Sequence, residues 1–119
     1  MKVYVLTMSI SDNKSLDLPE YRYGDDRIIF DRYIGTYNSI EAAAEVASSR
    51  IDCIIAAATS FEKYILGGDE QRFWDDCVDS SVRTKHLISI FEKRGMYVFD
   101  VDGRLYDYQF RFKLCEENV

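Results

Sequence analysis

Two short stretches of this sequence gather the side-chain types that recognise other molecules. Tyr21-Arg22-Tyr23-Gly24-Asp25-Asp26 sets two tyrosines and an arginine beside two acids. Tyr and Arg dominate binding hot spots because they bury much area at small entropic cost while keeping a polar handle. The same tyrosines could instead tuck back onto a sheet edge. Asp75, Asp76 and Asp79 put three carboxylates on one or two turns of helix, suited to a weakly held cation or a basic partner, and otherwise to a solvated face. Reactive pairings are harder to find. His86 is the sole histidine, and a nucleophile–base pair would need it beside Cys53, Cys77 or a serine, which nothing in the spacing indicates. It reads as a surface or boundary residue. Cys53, Cys77 and Cys115 are widely spaced, without a CxxC pair. No zinc site follows, and free thiols in a reducing cytosol are expected. The reading is of a chain with no catalytic residue, metal or cofactor.

Bulk properties narrow the partner. A length of 119 residues suits one domain, residues 1–119, able to build a core without metal or disulfide staples. Its 47% apolar fraction is a globular composition. Twenty-one acidic against fifteen basic residues give a formal charge of −6, the wrong sign for neutralising phosphates or anionic lipid. Direct nucleic-acid and membrane binding are therefore disfavoured, and a protein with a basic surface is the favoured partner. No stretch reaches the roughly 18 apolar residues of a membrane span, and the N-terminus lacks a signal-peptide pattern. A cytoplasmic location is expected.

The elements that must position these residues are read from periodicity. Residues 2–9 alternate β-branched and apolar types, a strand whose continuous apolarity predicts a central position. Residues 11–26 are polar, hold the only proline, Pro19, and form a long loop of the kind that carries function or disorder. Residues 27–37 alternate again, a second strand antiparallel to the first. From Ser39 to Leu66 there is no proline or glycine, and Ile40, Ala44, Ala47, Ile51, Ile54, Ala58, Phe61 and Ile65 recur every three or four residues. That seam predicts one long helix capped by Asn38-Ser39 and ended by Gly67-Gly68, with Thr59 as a place where it would divide. Its small residues Ala44, Ala47 and Ala58 would also let two helices approach closely in a homodimer.

Asp69 caps a second helix carrying Phe73, Trp74 and Cys77, which breaks near residues 79–81 and resumes over 82–94 with Gly95 as its stop. A hairpin follows, residues 96–101 and 104–114 about a two-residue Asp102-Gly103 turn, and the tail 115–119 frays. Tyr97, Phe99, Tyr106, Tyr108, Phe110 and Phe112 share one hairpin face and Asp100, Asp107, Gln109, Arg111 and Lys113 the other. The aromatic face would suit base stacking, but core packing explains it more simply, since the nearby cations Arg104, Arg111 and Lys113 face largely away. The order ββ-ααα-ββ predicts an α+β two-layer fold: a mostly antiparallel four-stranded sheet with a long helix and one or two further helices on one face.

Two resemblances bear on function. Tyr97-Val98-Phe99-Asp100-Val101-Asp102-Gly103 resembles the first motif of haloacid-dehalogenase-type phosphatases, which implies Asp100 as nucleophile and Asp102 handling the proton in a small metal-dependent hydrolase on a parallel, Rossmann-like sheet. Arg104 stands where that family has Thr, little chain follows Gly103, and the Asp-Gly hairpin explains the same residues. Gly68-Asp69 with Asp75 and Asp76 is similar to the family's acidic motif, although no apolar strand is expected before Asp69. The other resemblance covers the first third of the chain. Lys2-Val3-Tyr4-Val5-Leu6-Thr7, with Ile34-Gly35-Thr36-Tyr37-Asn38-Ser39-Ile40-Glu41-Ala42-Ala43, is similar to the β-β-α start of small phage and mobile-element proteins. It implies a non-enzymatic inhibitor that occupies the basic, nucleic-acid-binding surface of a host enzyme or defence complex. On that reading Tyr21, Arg22 and Tyr23 anchor the contact, and Asp25, Asp26, Asp75, Asp76 and Asp79 supply the charge.

Overall fold

The computed structural model describes residues 1–12, 28–59, 64–69, 80–103 and 107–119. Its elements are β1 (Lys2–Asp12), β2 (Ile28–Tyr37), α1 (Ile40–Thr59), β3 (Tyr64–Gly68), α2 (Ser80–Arg94), β4 (Met96–Gly103) and β5 (Asp107–Asn118). All strand pairings are antiparallel, in the order β2-β1-β5-β4-β3. The fold is α+β. The four expected strands form, and the short β3 joins them at one edge. β1 is central, as its unbroken apolarity predicts, lying between β2 and β5.

Alternation along the strands decides which sheet face is covered. Leu6 and Met8 of β1 are buried with Tyr97, Phe99 and Val101 of β4 and Phe110, Phe112 and Leu114 of β5, and the same cluster takes in Ala43, Ala44, Ala47 and Ile51 of α1 and Leu87, Ile90 and Phe91 of α2. Both helices therefore pack on one face of the sheet. Ala44 and Ala47 have no exposed surface, because their small side chains let α1 lie close against the rest of this core. Register across β4 and β5 sets Tyr97 opposite Phe112, Phe99 opposite Phe110 and Val101 opposite Tyr108, with the Phe99 and Phe110 rings stacked at 5.2 Å and 15°.

Local chemistry starts and stops the helices. The Ala42 N–H donates to Ser39 Oγ at 3.1 Å, so Ser39 is the N-cap of α1. Gly95, at φ +68°, takes the left-handed position just beyond α2, its N–H donating to the Phe91 carbonyl at 3.0 Å and its carbonyl accepting from Leu114 N–H at 2.8 Å. Gly95→Ala should cost roughly 1–2 kcal/mol, because the backbone there is strained for any other residue and the new Cβ would sit 3.3 Å from the Leu114 carbonyl oxygen. Urea denaturation measures this, and a loss below about 0.3 kcal/mol would mean that the turn relaxes freely.

Four expectations need correction. α1 ends at Thr59 rather than running to Leu66, and Tyr64–Gly68 is a strand. Pairing from Tyr64↔Gly103 to Gly68↔Phe99 gives β4's outer edge the hydrogen-bond partners that a longer helix would leave it without, and the expected division at Thr59 falls beside residues 60–63, outside the described ones. The expected run of three helices is thus interrupted by β3, and the helical segment expected over 70–79 lies outside the described residues. β4 runs on through Gly103, with Asp102 opposite Asp107, so the hairpin does not turn at Asp102-Gly103; its connection, 104–106, lies outside the described residues. Both registers keep the same side chains on the same face, but the observed one pairs the two phenylalanines and lengthens β4 enough to hold β3. Finally, the tail is paired rather than frayed. β5 extends to Asn118 along β1, and Val119 N–H donates to the Met1 carbonyl at 2.8 Å.

Candidate interaction surface

Among the described residues no helix packs on the second face of the sheet. Cross-strand register arranges it in rows: Tyr33, Thr7, Lys113 and Met96 in one, Asp31, Ser9, Arg111 and Val98 in the next, then Ser11, Gln109 and Asp100. Tyr33 is the most exposed of its large apolar side chains, at 59%, and its hydroxyl shares a 2.7 Å hydrogen bond with Thr36 Oγ1. Gln109 Nε2 donates to Asp100 Oδ1 at 3.3 Å, and Arg111 Nη2 donates to Gln109 Oε1 at 3.4 Å. This chain of weak bonds crosses from β4 to β5 and holds three polar side chains in place.

The β2 edge of the sheet discourages pairing with another strand. Register shifts opposite Leu6/Thr7 and Ile10/Ser11 interrupt its ladder, and Asp31 and Arg32 are both exposed between them. A two-fold pairing centred on either residue would set like charges against each other. On α1, Glu41 and Glu45 are exposed one turn apart, adding negative charge to the helical side. Lys2, hydrogen-bonded to Glu116 at 2.9 Å, has its ammonium held above the ordinary lysine range by that carboxylate.

The residues expected to form the partner site, Tyr21, Arg22, Tyr23, Asp25, Asp26, Asp75, Asp76 and Asp79, lie outside the described residues. Those expected to be inert can be placed. The His86 ring meets Tyr97 edge-on at 6.4 Å and 79°, as befits a boundary histidine. Cys53 is an exposed free thiol on α1, Cys115 a half-buried one on β5, and Cys77 lies outside the described residues. Ser48 is only 3% exposed, so its hydroxyl is out of reach of a substrate. Among the described residues no group of three or more His, Cys, Asp or Glu could hold a metal ion, and no helix is long and apolar enough to cross a membrane.

Asp100 sits in mid-strand, and the Rossmann-like parallel sheet implied by the phosphatase resemblance is not the sheet that forms, since every pairing is antiparallel. A strand does precede Asp69, contrary to expectation. No family model, curated protein or solved structure matches the chain. The functional argument therefore rests on its own side chains.

Sequence reasoning missed two charged contacts that join distant elements. Arg83 of α2, 7% exposed, donates through Nη1 to Asp52 Oδ1 of α1. Asp69, just past β3, accepts through Oδ2 from Arg94 Nη2 at 2.7 Å and from Val98 N–H at 2.9 Å. Partners 31 and 25 positions apart leave no local signal in sequence. Only the bias of cations toward a helix C-terminus hints at Arg94.

Proposed function

We propose that this chain is a non-enzymatic acidic binding protein of the phage or mobile-element type, which occludes a basic, nucleic-acid-binding surface of a host enzyme or defence complex in the host cytoplasm. The observation that carries the reading is the surplus of acidic side chains, −6 overall, on a fold with a well-packed core. Opposite charge steers a basic partner in and fixes its orientation. A core held by aromatic stacking lets the surface bind without reorganising, which limits the entropic cost of association. Exposed Glu41 and Glu45 on α1 add to the charge of Asp25, Asp26, Asp75, Asp76 and Asp79, with Tyr21, Arg22 and Tyr23 as anchors.

The test begins with affinity purification of the tagged chain from its natural host, followed by titration calorimetry with the captured partner. Changing Asp75, Asp76 and Asp79 together to Asn should weaken that complex by roughly tenfold and flatten its dependence on salt, while circular dichroism stays that of the parent. Equal affinity and an equal salt slope after the triple change would remove the electrostatic basis of the reading.

A further inference from the structure

We infer that β3 is a latched edge strand, docked on β4 by the Asp69 clasp and able to detach when that clasp opens, while the rest of the sheet stays folded. The strand is five residues long and lies at the end of the sheet, with β4 its one neighbour in the strand order. Edge strands bonded along one side open at lower free energy than central ones.

Beside the ladder it shares with β4, from Tyr64↔Gly103 to Gly68↔Phe99, β3 is tied by the residue that follows it. Asp69 N–H donates to the Val98 carbonyl at 2.8 Å. The Asp69 carboxylate returns the bond, accepting from Val98 N–H at 2.9 Å, and also takes the Arg94 guanidinium at 2.7 Å. Its side chain is 19% exposed, so water competes only partly for these charge-assisted bonds. Arg94 is the last residue of α2 and Val98 lies early in β4, with the Gly95 turn between them. One carboxylate therefore ties the end of β3 to a corner that α2 and β5 already hold rigid. Detachment of β3 leaves every pairing among β2, β1, β5 and β4 in place and bares the outer N–H and C=O row of β4.

Hydrogen exchange on the full chain, read residue by residue by NMR, tests the latch with Asp69→Ala, Asp69→Asn and Arg94→Gln. Asp69→Ala should speed exchange of the Ile65 and Gly67 amides, which point toward β4 in the same alternation as Asp69 N–H, at least tenfold and leave the Leu6 and Phe112 amides of β1 and β5 unchanged. Asp69→Asn keeps an acceptor for Val98 N–H, and Arg94→Gln keeps the carboxylate, so each should give a smaller local increase. Unchanged exchange at Ile65 and Gly67 in Asp69→Ala overturns the inference, and so does a matching acceleration at Leu6 and Phe112, which would show a single cooperative unit. Should Asp69→Ala fail to fold, Arg94→Gln decides by the same two criteria.

Discussion

Phe99→Ala should destabilise the fold by about 4 kcal/mol, the largest effect expected of any single substitution in the described core. The side chain has no exposed surface and is the hub of the aromatic layer, 5.2 Å from Phe110, 6.1 Å from Tyr97 and 6.5 Å from Phe112 between ring centroids. Truncation loses the transfer free energy of the ring and leaves a void that stacked neighbours on paired strands cannot collapse into. Against a total of about 5–15 kcal/mol for an ordinary domain, such a loss leaves a chain that is partly unfolded at 37 °C. Phe99→Leu, which refills most of the volume, should cost less than half as much. Urea denaturation with a common m-value measures both, and a Phe99→Ala loss below about 1.5 kcal/mol would mean that this layer is not the centre of the core.

Asp52→Ala should cost roughly 2 kcal/mol, because it takes a carboxylate partner from the largely buried guanidinium of Arg83. Arg83 has 9% of its side chain exposed and Asp52 has 51%, so the two ends of the pair are not equivalent. Removing a partner from a fully buried pair costs about 3–5 kcal/mol; the lower figure here discounts for solvent reaching the carboxylate. The asymmetry predicts an order. Asp52→Ala combined with Arg83→Met should be more stable than Asp52→Ala alone, since the second change removes a buried charge that has lost one carboxylate partner and substitutes a side chain that packs. A double variant less stable than Asp52→Ala alone would show that Arg83 is held chiefly by other groups.

How much of this was legible in sequence follows from the range of the interactions. Signals that act within a few residues read correctly: alternation in β1, β2 and the aromatic hairpin face, the Ser39 cap, and the Gly95 stop. The stretch from Gly35 to Ser39 is of this kind. Gly35 is placed so that a Cβ would fall 2.5 Å from Tyr37 Oη, so the glycine makes room for the tyrosine ring two positions on, and Ser39 then opens α1. These residues shape a strand-to-helix turn, and their types report architecture. Features set by distant pairing were not legible. β3 exists because β4 has an edge to fill, the shift of the hairpin connection to 104–106 keeps every side chain on its face, and the tail is ordered by residues at the opposite end of the chain. The expectation that Asp69 caps a helix falls on residues 70–79, outside the described ones, and its carboxylate bonds to Val98 and Arg94 come from positions too distant for a local rule to reveal. The partner-site residues were singled out by composition alone, and composition carries no information about which side chains converge.

The central seam of the sheet joins Lys2 to Asn118 and Leu6 to Leu114, among the longest loop closures this polypeptide can make. Closures of that span slow folding far more than they weaken the finished state. During synthesis, β1 and β2 emerge early, and β1 keeps one flank uncovered until β5 has left the ribosome. The newborn chain therefore passes through an interval in which chaperones have most to protect.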